Sequence, residues 1–237
     1  MATRRKRDDS STGKAPPPGR RVARAIVRRV RDGRQRVRLD NDARRAQLLE
    51  LGMKVFSEKT YDEVSIDDLA RAAGISKGLL YHYFPTKRDL YLAGLRTTAA
   101  ELLARTDVSA IDASPIERVR HGIDAYLSFV AERKVSYVSL MRGGIGSDPE
   151  VLRIVEDVRA ALVERMFDGP GSPLAIGDHR TPLARAALRG WLGFAEAASL
   201  EWLTHPDLEQ ATIRDLLVDM LLPTLRLALG FSLSRTW

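Results

Sequence analysis

Helix-start signals recur through the second half of this sequence and restrict it to an all-helical fold. Ser114-Pro115, Asp148-Pro149 and Thr181-Pro182 each place a helix-capping residue directly before a proline. Proline is favoured at the first position of a helix, because the N–H that it lacks has no partner there, and the residue before it can accept a hydrogen bond from the first turn. The alternation of apolar and polar residues that marks a half-buried strand does not occur over a useful length. These signals predict an all-α fold of about nine helices.

Four of these helices are predicted between residues 41 and 103. The first carries apolar residues with the 3.6-residue period of a helix, at Ala46, Leu49, Met53 and Phe56. Ser65 is a candidate N-cap of the second helix, with Asp68 at its third position. Gly74 follows the last periodic residue of that helix, where glycine easily adopts the left-handed conformation. The caps and stops of the next two helices are Ser76, Pro85 and Thr86. The last helix of the chain is expected to start near Asp207 and to end at Gly230.

Positive charge is concentrated in an N-terminal arm, residues 1–40. The arm holds 14 Lys and Arg against four Asp, a net of +10, whereas the whole chain carries +7. Its first 19 residues are polar and include three consecutive prolines, so we expect the arm to be largely disordered. A basic arm attracts polyanions, with nucleic acid as the first candidate, although a tail that only aids solubility has the same composition. Val22, Ile26 and Val30 recur every four residues, which would suit a short basic helix formed on DNA.

Several classes of function find no support in the sequence. The chain has no cysteine, which excludes disulfides and thiolate metal sites. Its four histidines are scattered, and no nucleophile, base and orienting group come together as an enzyme site requires. No apolar run is long enough to span a membrane, and the basic start lacks the apolar stretch of a secretory signal. We therefore expect a cytoplasmic protein that is not an enzyme and needs no cofactor or metal.

Residues 65–84 have the layout of a helix-turn-helix, with a Gly-Ile-Ser turn between two short helices. Leu80 and Phe84, four residues apart, place one face of the second helix in the core. The second helix of such a motif enters the major groove of DNA, so its other faces are left for bases and phosphates. Lys77 is the candidate reader of a base edge, most simply guanine, and Gly78 allows the backbone to approach closely. The candidate DNA-binding residues, with the last three predicted to contact phosphates, are Arg44, Arg45, Ser65, Ser76, Lys77, Gly78, Leu79, Tyr81, His82 and Lys87.

The stretch AGISKGLLYHYFPTKRDLY, residues 73–91, resembles the recognition signature of the TetR family of bacterial one-component regulators. The matching residues are Ala73-Gly74, Ser76-Lys77-Gly78, Leu80-Tyr81-His82-Tyr83-Phe84 and Lys87. The resemblance is strong over residues 42–95, and the remainder agrees only in length, helical character and number of helices. Leu79 departs from the family pattern, which more often has a small or hydroxylated residue at that position. The resemblance implies a DNA-binding regulator of transcription.

The helix predicted over residues 182–204 is apolar around nearly its whole circumference. Small residues form one stripe and bulky residues the next, at Gly190, Gly193 and Ala197 and at Trp191, Phe194, Ala198 and Trp202. Such a helix has to be covered on both sides, either at the centre of a monomer or between a core and a second subunit. Because the last two long helices of the family form a four-helix dimer interface, the resemblance implies a homodimer.

The resemblance also implies a small-molecule cavity in the second domain. Residues chosen to line it are mainly apolar with a few polar tips, as is usual in ligand pockets. They are Tyr126, Phe129, Tyr137, Met141, Trp191 and Phe194. Each of them alone would also fit an ordinary helical core. The predicted effector is an apolar or amphipathic small molecule.

The predicted organisation is the basic arm, a helix-turn-helix domain over residues 41–90, and a ligand-binding and dimerisation domain over residues 91–237. The predicted function is that of a homodimeric transcriptional repressor that binds a near-palindromic operator in double-stranded DNA and is released by a small molecule. We expect no membrane association. An activator or a regulator without an inducer are alternatives in the same class, and a nucleoid-type structural DNA-binding protein is an alternative outside it.

Overall fold

The computed structural model describes residues 40–143, 145–169 and 180–228. Within these ranges the chain forms nine α-helices and one 3₁₀ helix and no β-strand, which confirms the predicted all-α class. The arm before residue 40, the helix considered within it, and the expected end of the last helix at Gly230 lie outside the described residues. None of the described helices has the length and apolar character needed to cross a bilayer.

The described helices are numbered in chain order. The N-terminal ones are α1 (residues 40–58), α2 (Ile66–Ala72), α3 (Lys77–Tyr83) and α4 (Lys87–Arg105). The later ones are α5 (Pro115–Glu132), α6 (Lys134–Met141), the 3₁₀ helix (Ile145–Ser147), α7 (Pro149–Asp168), α8 (Pro182–Trp202) and α9 (Gln210–Ala228).

The predicted helix caps are present as local hydrogen bonds. The Ser65 side chain accepts from the N–H of Asp68, and the Asp68 carboxylate accepts from the Ser65 N–H and hydroxyl at 3.1 and 2.7 Å. These bonds from Ser65 lower the pKa of Asp68 to about 2. Gly74 has φ of 63°, the left-handed conformation expected after α2. Ser114 forms a second capping box with Glu117 at the start of α5.

One buried cluster, which we call the N-terminal cluster, holds the helix-turn-helix together. The predicted burial of Leu80 and Phe84 is confirmed. Both belong to this cluster together with Leu69 and Phe56, and all four side chains are no more than 2% exposed. The cluster continues beyond residue 90 through Leu92 and Leu95 of α4 and Val151 and Ile154 of α7. The cluster that buries residues of the short helices α2 and α3 therefore also contains residues from the first turns of α7.

A second buried group, the C-terminal cluster, joins α5, α7, α8 and α9. The start of α9 was predicted near Asp207 but lies at Gln210. The intervening residues form turns, and the indole N–H of Trp202 donates to the Leu208 carbonyl at 2.8 Å. This contact from the end of α8 holds the turn outside the helix. Pro223 lies within α9.

Candidate DNA-binding surface and polar cluster of the second domain

The helix α3 exposes large side chains that the described residues leave uncovered. Leu80 is its buried residue, whereas Leu79 and Tyr81 are 39% and 46% exposed. His82 is also exposed, and its ring lies edge-on to Tyr83 with the centroids 5.2 Å apart. A soluble protein seldom gains from displaying several such side chains together on a short helix, so this face is suited to contact another molecule.

Gly78 is not required by the packing of the protomer. A Cβ atom added there would have only the Ser76 hydroxyl oxygen near it, at 4.0 Å. Glycine inside a helix is less favourable than alanine by about 1 kcal/mol. The packing of the described residues therefore does not require glycine at this position, where α3 begins.

The two predicted serines act as N-caps. Ser65 caps α2, and the Ser76 hydroxyl oxygen accepts from the Leu79 N–H at 3.2 Å to cap α3. Arg44 and Arg45 lie in the first part of α1, where the Arg44 guanidinium donates to the Gln47 side chain at 2.7 Å. Both serines and Arg45 are exposed.

Lys77, the predicted base reader, is paired with a carboxylate from the other helix of the motif. Its ammonium lies 2.6 Å from Oδ1 of Asp67, and both side chains are more than half exposed. Asp67 is in the first turn of α2, next to the capping residue Asp68. An exposed pair of this kind contributes only about 0–1 kcal/mol, so the lysine can leave it for a better acceptor.

The Lys87 side chain, predicted to contact phosphate, already has partners within the protein. Its ammonium donates to the carbonyl oxygens of Tyr61 and Val64 at 2.9 and 3.0 Å. It also lies over the Tyr61 ring, 4.1 Å from the centroid. Lys87 thus fastens the α1–α2 connection to the start of α4, and one of its three N–H groups is left for the predicted phosphate contact.

The structure joins two of the predicted cavity residues in a polar cluster. The hydroxyl oxygens of Tyr126 on α5 and Tyr137 on α6 are 2.7 Å apart. Arg159 of α7 donates from two nitrogens to the two carboxylate oxygens of Glu196 on α8, both at 2.7 Å. The fully buried Ser199 of α8 also interacts with Tyr126. Four helices therefore contribute polar groups to one cluster.

The electrostatics of this cluster keep both tyrosines neutral. Burial is the main cause that raises the pKa of Tyr126 and of Tyr137, because a phenolate would lose its hydration there. The nearby Glu196 carboxylate raises both further. The pair can consequently offer O–H donors and acceptors at neutral pH, but no anionic charge.

The other predicted cavity residues make different contacts. Phe129 is buried below the guanidinium of Arg133, which lies 4.3 Å from the ring centroid. The indole N–H of Trp191 donates to the Leu217 carbonyl on α9 at 3.0 Å. Phe194 packs against the C-terminal cluster and Met141 is half-buried at the end of α6. The tyrosine pair is thus the part of the predicted lining that the structure brings together.

Sequence reasoning missed Glu196 and Arg159 in the polar cluster and Asp67 beside Lys77. Glu196 interrupts an otherwise apolar helix, and that interruption was the available signal for a polar cluster. Its partner Arg159 lies 37 residues away and carries no comparable signal. Asp67 was passed over because it stands among other acidic residues at a helix start.

The helices α8 and α9 each expose an apolar stripe on the side away from their buried residues. On α8 the exposed positions recur at three and four residues, at Leu183, Ala186, Gly190, Gly193 and Ala197. On α9 they are Leu216, Met220 and Pro223. Leu183 is 67% exposed, and Leu216 and Met220 are 44% and 46% exposed. A Cβ atom on Gly190 or Gly193 would meet nothing within 4 Å. The small residues therefore leave open space beside large uncovered apolar side chains.

Comparison with known proteins places this arrangement among bacterial regulators. Residues 48–93 match the family model of bacterial regulatory proteins of the tetR family, and residues 115–223 match that of the tetracyclin repressor-like C-terminal domain. The HTH-type transcriptional activator FasR of Mycolicibacterium smegmatis is 27% identical over 71% of this chain and 76% of its own length. The HTH-type transcriptional repressor KstR of Mycobacterium tuberculosis is 26% identical over 68% of this chain and 72% of its own.

The solved structures agree with the sequence matches. The crystal structure of a tetR-family transcriptional regulator from Streptomyces coelicolor has a TM-score of 0.71 and 30% identity. The alignment covers 81% of this chain and 84% of that one. The two family models cover both the helix-turn-helix and the later helices. The chain belongs to the TetR family and is a DNA-binding regulator of transcription.

Proposed function

We propose that this regulator is a homodimeric repressor that binds a near-palindromic operator through α3 and is released by a small molecule. In this proposal residues 41–90 form the DNA-binding domain, residues 91–237 bind the effector and the second subunit, and residues 1–40 are a basic arm. The observation that carries it is the face of α3, where a glycine that the fold does not need lies beside exposed Leu79 and Tyr81.

The assignment of roles on α3 follows from position and chemistry. Lys77 and Gly78 are its first two residues, and the N-terminal residues of a recognition helix face the base edges. Tyr81 and His82, one turn later, have polar tips that suit phosphate oxygens. Leu79 has an apolar side chain that can pack against a thymine methyl group. Phosphate contacts then provide affinity for any duplex and Lys77 provides selectivity.

Single substitutions of Lys77 and Asp67 are expected to separate selectivity from general affinity for DNA. Lys77→Ala should lower the ratio of operator affinity to random-duplex affinity, since a good base contact contributes about 1–3 kcal/mol. Asp67→Asn should raise affinity for both duplexes by up to about fivefold, since it removes an exposed competitor worth about 0–1 kcal/mol. Fluorescence anisotropy with an operator selected by the wild-type protein measures both. An unchanged ratio in Lys77→Ala would show that this residue does not read a base.

The proposed dimer uses the exposed stripes of α8 and α9. Their apolar side chains have no cover in the protomer, and the glycines of α8 would let a facing helix approach closely. Two identical stripes related by a two-fold axis would cover one another, as in most homodimers. A two-fold axis also relates the two copies of α3, which is why the proposed operator is near-palindromic.

The proposed effector site is centred on the polar cluster between α5, α6, α7 and α8. No residue of α6 is fully buried, although most of them are apolar, and Tyr137 is half-buried. An uncharged polar group could replace the bond between the Tyr126 and Tyr137 hydroxyls, while its apolar body lies against α6. The Arg159–Glu196 pair is internally neutral and so does not favour an ionic group.

Tyr137→Phe is expected to abolish the response to effector while leaving operator affinity within about twofold, because it removes one hydroxyl and little volume. Small molecules released from the denatured wild-type protein would be identified by mass spectrometry and added back to the protein–operator complex. Tyr91→Phe serves as the matched control, since it also removes one hydroxyl but from the N-terminal cluster. A normal response in Tyr137→Phe would place the effector elsewhere.

An activator is the second candidate function, and one comparison favours it. The relative FasR, which aligns with 71% of this chain, is named a transcriptional activator, whereas KstR is named a repressor. Selection of bound fragments from random DNA, followed by transcription in vitro from a promoter that carries the selected site, distinguishes the two. Reduced transcript on addition of the protein supports the repressor. Uniform binding to all DNA would refute both and favour a nucleoid-type protein.

A further inference from the structure

A bidentate ion pair connects the start of α7 to the start of α4. Nε and Nη2 of Arg88 donate to Oδ2 and Oδ1 of Asp148 at 2.5 and 2.8 Å. The Asp148 side chain is 15% exposed and that of Arg88 is 41% exposed. Two parallel charge-assisted bonds fix the relative orientation of the two groups more closely than a single contact would. Arg88 is the second residue of α4, only five positions beyond Tyr83, the last residue of α3.

The same carboxylate is the N-cap of α7. Oδ1 of Asp148 accepts from the N–H of Glu150 at 2.9 Å, so the first turn of α7 and the guanidinium of Arg88 are oriented by one side chain. Glu150 in turn pairs with Arg96, eight residues further along α4. Eight residues of helix span about 12 Å. The start of α7 is thus tied to α4 at two separated points.

Apolar packing continues the connection to the recognition helix. Val151 and Ile154 of α7 belong to the N-terminal cluster, together with Leu80 of α3 and Phe84, which follows it. Val151 is fully buried. A helix of seven residues is too short to be stable alone, so the orientation of α3 depends on the elements packed against it. The first turns of α7 pack on α4 and belong to the same buried cluster as α3, so they support α3 through α4.

From this geometry we propose that Asp148 is a positioning residue for DNA recognition. Through Arg88 it holds α4, and with α4 the attached α3, in the orientation that reads the operator. The proposal rests on operator binding by α3 but not on dimerisation or on an effector. It predicts that breaking the pair impairs selective binding even though it removes a negative charge from a protein that binds a polyanion.

Asp148→Asn tests the proposal because loss of the negative charge and loss of positioning should change DNA binding in opposite directions. Asparagine is also a good N-cap and has almost the same volume, but it lacks the charge and the second acceptor oxygen that the guanidinium uses. Loss of a carboxylate alone would raise affinity for any duplex. Loss of positioning should instead lower the ratio of operator to random-duplex affinity by about fivefold or more, the loss expected for a charge-assisted bond. Asp62→Asn, which removes an exposed carboxylate from the α1–α2 connection, is the charge-matched control and should leave the ratio unchanged.

Arg88→Lys is the companion variant, because it keeps the charge and leaves the Asp148 cap in place but removes the guanidinium fork. It should lower the ratio as Asp148→Asn does, and the double variant should lose no more than either single one. Hydrogen–deuterium exchange of the free protein adds a readout that needs no operator: the amides of residues 77–84 should exchange faster in both variants and not in Asp62→Asn. Wild-type exchange in α3 of both variants, or losses that add in the double variant, would overturn the proposal. Failure of the wild-type protein to select an operator would refute the proposed function instead, and exchange would still decide the role of Asp148.

Discussion

Gly193→Arg is expected to convert the protein into a folded monomer, or an aggregate, that no longer binds its operator. The substitution meets no steric obstacle inside the protomer, because a Cβ atom on Gly193 has nothing within 4 Å. Arginine is also the better helix former by about 1 kcal/mol. The exposed stripe of α8 in which it lies would, however, carry a long charged side chain where the proposed dimer needs close apolar contact. An unpaired charge in such a contact is strongly unfavourable.

The expected loss of operator affinity is large because a dimer binds both half-sites at once. Joining two binding modules raises affinity by about 10²–10⁴-fold, and a monomer forfeits that gain. Sedimentation velocity and anisotropy on the same samples measure both properties. Ala160→Arg, which places the same side chain at an exposed position of α7, is the matched control and should remain a dimer with normal binding. A Gly193→Arg protein that still sediments as a dimer would move the interface away from α8.

The parts of this fold that could be predicted from the sequence are those decided by neighbours within a few residues. Ser65 and Asp68 form a capping box through groups three positions apart, and Gly74 adopts its left-handed conformation for local steric reasons. The start of α9 was mispredicted because a contact between Trp202 and Leu208, at the end of the preceding helix, decides it. The local pattern of capping and apolar residues does not predict such a contact.

The same distinction explains the candidate sites. The period of a helix predicts that Phe129 and Trp191 are buried, but it does not say which neighbouring helix each ring faces. That depends on the rotation and crossing of packed helices, which put Trp191 against α9. Lys77 was identified from its place in the motif, but its partner Asp67 depends on the angle between α2 and α3. The sequence therefore predicted which residues belong to the candidate sites, but it did not predict which groups they contact.

Gly78→Gln is expected to leave the folded protein intact or slightly more stable and to abolish selective DNA binding. The fold tolerates the change because the nearest atom to a Cβ at this position is 4.0 Å away. Replacing a helical glycine by glutamine should stabilise α3 by up to about 1 kcal/mol. On the DNA side, a three-carbon amide would stand between the start of α3 and the base edges. It would displace the contact of Lys77 and those of its neighbours, each worth about 1–3 kcal/mol.

Gly94 provides the control, because the packing of the fold needs this glycine whereas it does not need Gly78. At Gly94 an added Cβ would lie 1.8 Å from the sulfur of Met53, so a side chain there would force the Met53 side chain to move. Gly94→Ala should therefore lower the melting temperature, by an overpacking penalty of about 1–3 kcal/mol. Thermal unfolding and anisotropy should then give opposite patterns: Gly78→Gln is stable but does not bind selectively, and Gly94→Ala is less stable and still selects the operator when it is folded. If Gly78→Gln retains the wild-type preference for operator over random DNA, the start of α3 does not lie against the bases.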